Sequence, residues 1–568
     1  MKFDTQARTR FIALGLILVA GLFVVRLFYI QIINGDNYSD EADRQYLRPT
    51  SNAFDRGSIF FTTKTGNLVS AATLKVGYLV TINPQLILDA TSTYQTLANI
   101  FPLEQASFMK DALDKNYHYQ EIASRIDQAS ADKILATKLP GVYIHKQKWR
   151  FYPGAKTASH LIGFMAYRGD QYLGRYGLEK SVNDILSRHN DGLKVNFFAE
   201  VFADFNSALK NKSFGSEGDI VLTIEPIVQN TLEKELTAFS DKWHPDSVGA
   251  IIINPETGAI YAMAALPNFD PNKKQTNIDV LNNPLVEKNY EMGSIFKPLT
   301  LAAALDTGAI TASTTYNDKG SIILNGRKIS NFDHKIRGLT SMQEVLNKSL
   351  NLGATFAMQE LGHQKFYDYF MDYGFGEKTN IDLPNEAIGL TGNLNSKREL
   401  EYANMSFGQG INITPINMTR ALATLANGGK LITPHVIKQI NYTNLLVKTT
   451  PVTAIRQVLK PATSLEISRM LSVVVDTALA GGKFKQEHYS VAAKTGTAQI
   501  AKSGGGGYYD DRYLHSFFGY FPASKARFLI FLYAYNPQGA KYASETLTES
   551  FINLNHFLTS YYELPPDR

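Results

Sequence analysis

Three segments bearing serine and lysine stand in order along the chain: Ser294-Ile-Phe-Lys297, Ser349-Leu-Asn351 and Lys494-Thr-Gly-Thr497. A serine hydroxyl is a weak nucleophile near neutral pH and needs a base beside it. Lys297 follows Ser294 by three positions, which on a helix puts both side chains on one face. A lysine acts as a base only when burial or a nearby cation depresses its pKa. Lys494 can supply that cation. Ser349 can relay a proton to or from a leaving amine. Asn351 has a two-ended amide that can hold Lys297 and a substrate amide together. Lys494, Thr495, Gly496 and Thr497 can bind a substrate carboxylate and pair with its backbone. The main-chain N–H groups of Ser294 and Thr497 are the natural donors to an oxyanion.

Each segment alone carries little. A single lysine is usually a solvated charge, a single serine usually a cap, and a single Lys-Thr-Gly usually a turn. Their order, with spacings of about 55 and about 145 residues, makes coincidence a poor account. A local conflict marks the same place. Pro298 directly follows Lys297, and proline disfavours a helical residue before it. Conflict with a local rule beside a reactive pair is typical of functional sites.

The elements that must position these groups can be read in outline. Pro226 to Phe239 is an amphipathic helix with proline in its first turn. Val248 to Ile253 and Ala259 to Ala265 are apolar strands joined by Asn-Pro-Glu-Thr-Gly. Thr414-Pro415 opens a helix that Asn427-Gly428-Gly429 closes. Val491 to Ile500, Phe517 to Phe521 and Phe528 to Tyr535 read as strands, the first carrying Lys494. Gly504 to Gly507 reads as a plain flexible loop, with a mobile lip beside that strand as its functional alternative. Upstream, Val76 to Ile82 reads as a strand, Ala106 to Leu113 and Ala129 to Leu135 as helices, and Ile220 to Ile224 as a strand after a boundary near Gly215 to Asp219.

The chain has 568 residues, 44% hydrophobic and 19% charged, with a formal net charge of +5 and no cysteine. That length suits several domains. The absence of cysteine excludes disulfides and thiolate metal sites. No basic run with interleaved aromatics suggests nucleic acid. Phe11 to Ile33 is long and apolar enough to span a bilayer. Lys2, Arg8 and Arg10 precede it, which places the N-terminus in the cytoplasm and the bulk of the chain outside. No small-residue cleavage site follows closely, so the segment is expected to remain as an anchor, with Arg26 snorkelling near one end.

On these residues the chain resembles the class B penicillin-binding proteins, the monofunctional transpeptidases of peptidoglycan synthesis. The resemblance extends to Arg26-Leu27 with Gln31, Arg56-Gly57-Ser58-Ile59, Arg150-Phe-Tyr-Pro153, His160, Gly163 and Gly177-Leu178-Glu179. It continues through Leu222-Thr-Ile-Glu225, Asn254-Pro255, Pro271-Asn272, Gly408-Gln-Gly410, Thr414-Pro415 and Ser516-Phe-Phe-Gly519. Asn351 and the segment from Phe375-Gly376 through Asp382-Leu-Pro384 to Glu386 resemble the septal, FtsI-like branch. The chain departs from the family pattern at Phe61-Thr-Thr-Lys-Thr-Gly66, at Met292 in place of a proline, and at Ala493 in place of a glycine.

The resemblance implies a cytoplasmic tail (1–10), an anchor (11–33), an elongated α+β pedestal or dimerisation-like domain (34–219) and an α/β transpeptidase domain (220–568). In the last, a five-stranded antiparallel sheet lies between helices. It implies an inner-membrane protein that acylates Ser294 with a D-Ala–D-Ala stem peptide, needs no metal or cofactor, and is inactivated by β-lactams. The implied partners are nascent peptidoglycan, an FtsW-type glycosyltransferase and other divisome membrane proteins. The catalytic set is Ser294, Lys297, Ser349, Asn351 and Lys494, with Thr495, Gly496 and Thr497 binding substrate. Alternatives that share the chemistry are an elongation-type transpeptidase and a D,D-carboxypeptidase. A silent divisome scaffold or β-lactam sensor is the non-enzymatic alternative. Intact reactive residues argue against silence, and the absence of an assignable deacylation base argues against a β-lactamase.

Overall fold

The computed structural model describes residues 19–27, 55–168, 171–188, 217–452, 454–502 and 506–568. Residues 19–27 are helical. The rest of the expected anchor lies outside the described residues, and among those described no helix is long and apolar enough to cross a membrane. The chain forms two compact units. The first is built around residues 74–149; the second joins 56–73 and 150–187 to 215–568. The stretch expected as one pedestal, 34–219, is therefore shared between the two units.

In the first unit, the end of strand Leu68–Ile82 pairs antiparallel with Gln120–Ile126, Tyr78 lying opposite Ile126. Helices Ala90–Ala98, Gln105–Leu113 and Gln128–Thr137 accompany them. Val80, Ile82, Leu97, Phe108 and Ile134 form its small core. Asp89 and Asp127 cap two of those helices through their carboxylates, which satisfy first-turn N–H groups.

The second unit is organised by eleven elements, in chain order: α1 (Pro226–Trp243), β1 (Ser247–Ile253), β2 (Ile260–Leu266), α2 (Lys297–Asp306), α3 (Asn351–Leu361), α4 (Pro415–Ala426), α5 (Pro461–Val473), β3 (Ala492–Ala501), β4 (Tyr508–Phe521), β5 (Phe528–Tyr535) and α6 (Ala543–Tyr561). The strands form one antiparallel sheet in the order β3-β4-β5-β1-β2. Both faces are covered. Phe528, Ile530 and Leu532 of β5 face α1 and α6, packing with Leu232, Leu236, Phe551 and Leu554. The alternate residues Leu529, Phe531 and Tyr533 belong to the core on the other face, with Leu299 of α2, Leu422 of α4 and Ile467 of α5. Burial on both sides is why β5 reads as an unbroken apolar run, whereas a strand buried on one face alternates. Strand β4 begins nine residues earlier than the sequence suggested. Asp510, Asp511 and Arg512 are exposed there, so this arm pairs with β3 beyond the core and lacks an apolar signature.

Residues 56–73 and 150–187 are stitched into this unit by charge and by a ladder. Strand Ile59–Thr62 pairs in parallel with Gly218–Leu222. The Glu179 carboxylate, fully buried, accepts from Arg56 Nε at 2.7 Å and Arg150 Nε at 2.5 Å. Arg150 Nη1 donates to the Gly57 carbonyl at 2.7 Å, and Tyr152 hydroxyl to Glu179 at 3.3 Å. Motif residues that the sequence offered without a chemical role thus form one buried ionic knot.

Candidate active site

The nucleophile candidate sits where a short turn becomes a helix. Gly293–Phe296 is one 3-10 turn, and α2 follows from Lys297. Pro298 falls in the first turn of α2, where its missing N–H leaves no gap in the hydrogen-bond ladder. The local conflict that remains is at Lys297, which holds φ −54° and ψ −44° although a proline follows it. Lys297 is fully buried, while Ser294 is part-exposed. Lys297 Nζ lies 2.8 Å from Ser294 Oγ.

Ser349 lies between the helix Met342–Asn347 and α3. It has φ +53°, a left-handed conformation unusual for a residue with a side chain. That turn presents both its carbonyl and its hydroxyl to Lys297, at 2.6 and 3.2 Å from Nζ. Lys494 Nζ approaches the same hydroxyl at 3.0 Å, and also donates to the Thr495 carbonyl at 3.0 Å. One serine hydroxyl therefore bridges two buried ammonium or amine groups. Burial, with the charge of Lys494 added, holds Lys297 well below the ordinary lysine pKa. Burial lowers Lys494 to about 7. Burial and the neighbouring cation both favour a neutral amine at Lys297, beside Ser294.

Asn351 departs from expectation. Its amide nitrogen donates to the Ser330 carbonyl at 2.9 Å, and Lys297 is held by the backbone of Ser349 where the sequence suggested the Asn351 side chain. The left-handed turn at Ser349 is the reason, since it aims a carbonyl at the position that an amide oxygen was expected to fill. A neighbouring residue, Asn331, braces the same region. It donates to Asp318 at 2.9 and 3.0 Å and accepts from the Leu352 N–H at 3.2 Å. Sequence reasoning missed Ser330 and Asn331, and no spacing signal singles them out.

Lys494, Thr495, Gly496 and Thr497 lie on β3, which is an edge of the sheet. An edge strand has free backbone groups that an extended peptide can use. Lys494 and Gly496 are buried, while Thr495 and Thr497 are part-exposed, as alternation on a strand requires. Thr497 Oγ1 accepts from the Ala543 N–H at 3.0 Å, tying the strand to the start of α6. The nucleophile turn docks closely on this strand. A Cβ at Gly293 would sit 2.7 Å from the Thr497 carbonyl oxygen, and one at Gly496 would sit 2.7 Å from the Met292 carbonyl oxygen. Ser516 Oγ donates to the Met292 carbonyl at 2.7 Å, and Gly293 N–H donates to the Gly408 carbonyl at 3.1 Å. The Gly408 and Ser516 motifs thus act by seating the turn.

The family model for the penicillin-binding protein transpeptidase domain matches residues 248–554, more than half of the chain. That for the penicillin-binding protein dimerisation domain matches residues 54–197. Stage V sporulation protein D of Bacillus subtilis (strain 168) is 31% identical over 552 residues, covering 94% of this chain and 82% of that protein. Peptidoglycan D,D-transpeptidase FtsI of Buchnera aphidicola is 29% identical over 529 residues, covering 92% and 89%. The crystal structure of penicillin-binding protein 3 from Mycobacterium tuberculosis complexed with aztreonam superposes with a TM-score of 0.64. It is 25% identical and covers 74% of this chain and 92% of that one. The chain belongs to the class B penicillin-binding proteins, enzymes with a transpeptidase domain behind a dimerisation domain.

Proposed function

We propose that this protein cross-links peptidoglycan stem peptides during septal cell-wall synthesis through a covalent ester on Ser294. The observation that carries this reading is the buried Lys297 amine 2.8 Å from the Ser294 hydroxyl. Neutral Lys297 accepts the serine proton as Oγ attacks the penultimate D-Ala carbonyl. The N–H groups of Ser294 and Thr497 hold the oxyanion. Ser349, between the two lysines, passes a proton to the departing amine, and the terminal D-Ala leaves. The amine of a neighbouring stem then attacks the ester, its proton returning by the same route, and Ser294 is regenerated. Lys494 with Thr495, Gly496 and Thr497 binds the substrate carboxylate and backbone, and Asn351 faces the substrate amide.

β-Lactams acylate the same serine, a reading supported by the aztreonam complex of the mycobacterial relative. The septal assignment draws support from Asn351 and from the FtsI relative. A sporulation-specific role is the second reading, supported by 31% identity to Stage V sporulation protein D. The domain limits proposed are a tail at 1–10, an anchor at 11–33, a pedestal at 34–219 and a transpeptidase domain at 220–568. The protein is placed in the cytoplasmic membrane, with its bulk outside and an FtsW-type glycosyltransferase and other divisome membrane proteins as partners.

Replacing Ser294 by alanine removes the part-exposed hydroxyl nearest the Lys297 amine, at 2.8 Å. Covalent labelling by fluorescent penicillin is expected to vanish while the thermal transition is kept. Stoichiometric labelling of that variant would refute the assignment. Depletion in the native host separates the two roles: blocked septation supports the first, and a defect confined to spores supports the second.

A further inference from the structure

Strand β3 carries Lys494 but is an edge strand, paired among the described residues with β4 alone. Its placement therefore depends on how the chain enters it. The segment between α5 and β3 is irregular. It makes a π-helical turn at Val474–Ala478, then holds Ala480, Gly481 and Gly482 in succession at φ +47°, +68° and +79°. A Cβ at Gly482 would sit 2.6 Å from the Asp476 carbonyl oxygen, so the kink folds tightly on the π turn. Backbone of this kind persists only where surrounding groups hold it, and it concentrates at functional places. None of residues 483–490 is buried, and among them only Phe484 and Tyr489 lean on the core.

The stretch that follows α6 supplies the hold. Asp567 N–H donates to the His488 carbonyl at 3.0 Å. One Asp567 oxygen accepts from the Ser490 N–H at 2.7 Å. The other accepts from the Ser490 hydroxyl, and from the Ser524 hydroxyl at 3.1 Å. Ser490 also takes the Ala523 N–H, from the turn between β4 and β5, at 2.8 Å on its hydroxyl and 3.0 Å on its carbonyl. Arg568 forks onto the Asp476 carboxylate at 2.6 and 2.9 Å. It also donates to the Gln486 carbonyl at 2.6 and 3.0 Å. A stretch that only covered surface would meet side chains. This one takes the backbone at 486, 488 and 490, and Ser490 stands four residues before Lys494.

We propose that Asp567 and Arg568 are positioning residues for Lys494, straps that fix where β3 enters the sheet and so how its ammonium meets Ser349. This rests on the role given to Lys494 above and goes beyond it. Asp567 grips Ser490 by both its N–H and its hydroxyl, which sets the position of the strand's start and its rotation. Arg568 draws residues 476 and 486 onto one guanidinium, which keeps the strained kink from relaxing into the strand. Neither residue touches substrate; both act through the path of the backbone to Lys494.

The test uses the full-length protein in detergent. Acylation rates are counted per site labelled at saturating fluorescent penicillin, so unfolded molecules drop out. Asp567→Ala frees Ser490 and is expected to slow second-order acylation by roughly tenfold, since a shift of about 1 Å can cost up to about a hundredfold. Loosening β3 also lets water reach Lys494, whose pKa burial depresses, so the alkaline limb of the rate is expected to move to higher pH. Lys297, across the Ser349 hydroxyl, is the titratable group that faces it. A merely structural loss would lower the urea midpoint and leave the limb in place. Asp567→Asn keeps an oxygen for the Ser490 N–H and an amide to meet its hydroxyl, and is expected to restore both rate and limb. Arg568→Ala is expected to act in the same direction but more weakly, because its pair with Asp476 is part-exposed. An alkaline limb unmoved in Asp567→Ala, whatever its rate, or an asparagine variant as impaired as the alanine one, would overturn the proposal. Lys494→Arg, run alongside, keeps the two readings apart. If the alkaline limb survives in that variant, the role of Lys494 fails first and takes this proposal with it.

Discussion

Two buried lysines share one serine hydroxyl, and their proton count decides whether the site can react. In the proposed mechanism Lys297 must be neutral to accept the Ser294 proton, and Lys494 must be charged to hold a carboxylate. Burial, with the neighbouring cation added, favours the neutral form of Lys297. Lys494 keeps its proton up to about 7. The reactive form has Lys297 neutral and Lys494 charged, and the two titrations belong to the coupled pair. The second-order rate of penicillin acylation, which reports the free enzyme, is expected to fall on the alkaline side with a midpoint near 7. It falls on the acid side as Lys297 takes up a proton. Lys494→Arg keeps its charge throughout, so its profile is expected to lose the alkaline limb; a limb that stays in place would assign it to another group. Lys297→Arg removes the base, because a guanidinium stays protonated. Acylation is expected to drop at least about a hundredfold, close to the effect of Lys297→Ala. Near wild-type acylation by the arginine variant would leave Lys297 a purely electrostatic role. At this scale the sequence was eloquent about types and spacing, since Ser294, Lys297, Ser349 and Lys494 do meet. It was silent about Ser349's left-handed turn and about Asn351's partner. Both depend on a backbone path, and the Ser330 carbonyl that receives Asn351 has no side-chain identity to read.

At the scale of elements, the site depends on how closely a turn can approach a strand. Gly408 has φ +87°, and a Cβ there would lie 2.1 Å from the Gly293 carbonyl oxygen. Backbone cannot yield as a flexible side chain can, so the whole nucleophile turn would have to move. Gly408→Ala is expected to reduce penicillin acylation by roughly tenfold to a hundredfold, since misplacement by about 1 Å costs that much. Gly308 provides the control. It too has positive φ, +75°, but nothing lies within 4 Å of its Cβ position. Gly308→Ala is expected to cost only about 1 kcal/mol of stability, read by urea denaturation, with acylation retained. Equal acylation losses in the two variants would mean that backbone strain alone, and no steric contact, governs the turn. The regular elements were legible because their signals are local. Thr414-Pro415 caps and starts α4 as expected, with Thr414 Oγ1 accepting from the Asn417 N–H at 3.2 Å. The strands expected at 248–253 and 259–265 are found at Ser247–Ile253 and Ile260–Leu266. The first half of β4 was not legible, because its arm is held by strand pairing and carries exposed charges where a core strand would be apolar.

At the scale of the molecule, the sequence order hides which segments fold together. The sequence suggested a boundary near Gly215 to Asp219, and residues 56–73 and 150–187 fold in one unit with 215–568. The reason lies in single residues far apart in the chain. Glu179 joins Arg56 and Arg150, Thr62 Oγ1 donates to the Leu222 carbonyl at 2.7 Å, and Asn272 exchanges hydrogen bonds with the Tyr152 backbone. No periodicity reports such long-range pairs. The Glu179 knot also predicts a measurable asymmetry. Its three charges are 0–2% exposed, so removing the carboxylate strands two guanidinium groups in a dry interior. Breaking a buried pair in this way costs about 3–5 kcal/mol. Lys242 and Glu549, at 55% and 66% exposure, form a pair of similar length that water screens, worth about 0–1 kcal/mol. Glu179→Ala is therefore expected to lower the midpoint of urea denaturation strongly, and Glu549→Ala barely to move it. Penicillin acylation by the folded fraction of Glu179→Ala, measured well below its transition, is expected to persist, because none of Arg56, Arg150 and Glu179 contacts the lysine pair. Should Glu179→Ala unfold at the wild-type midpoint, the knot contributes nothing net, and the parallel ladder of Ile59–Thr62 with Gly218–Leu222, together with the Thr62 and Asn272 hydrogen bonds, must hold these segments in place.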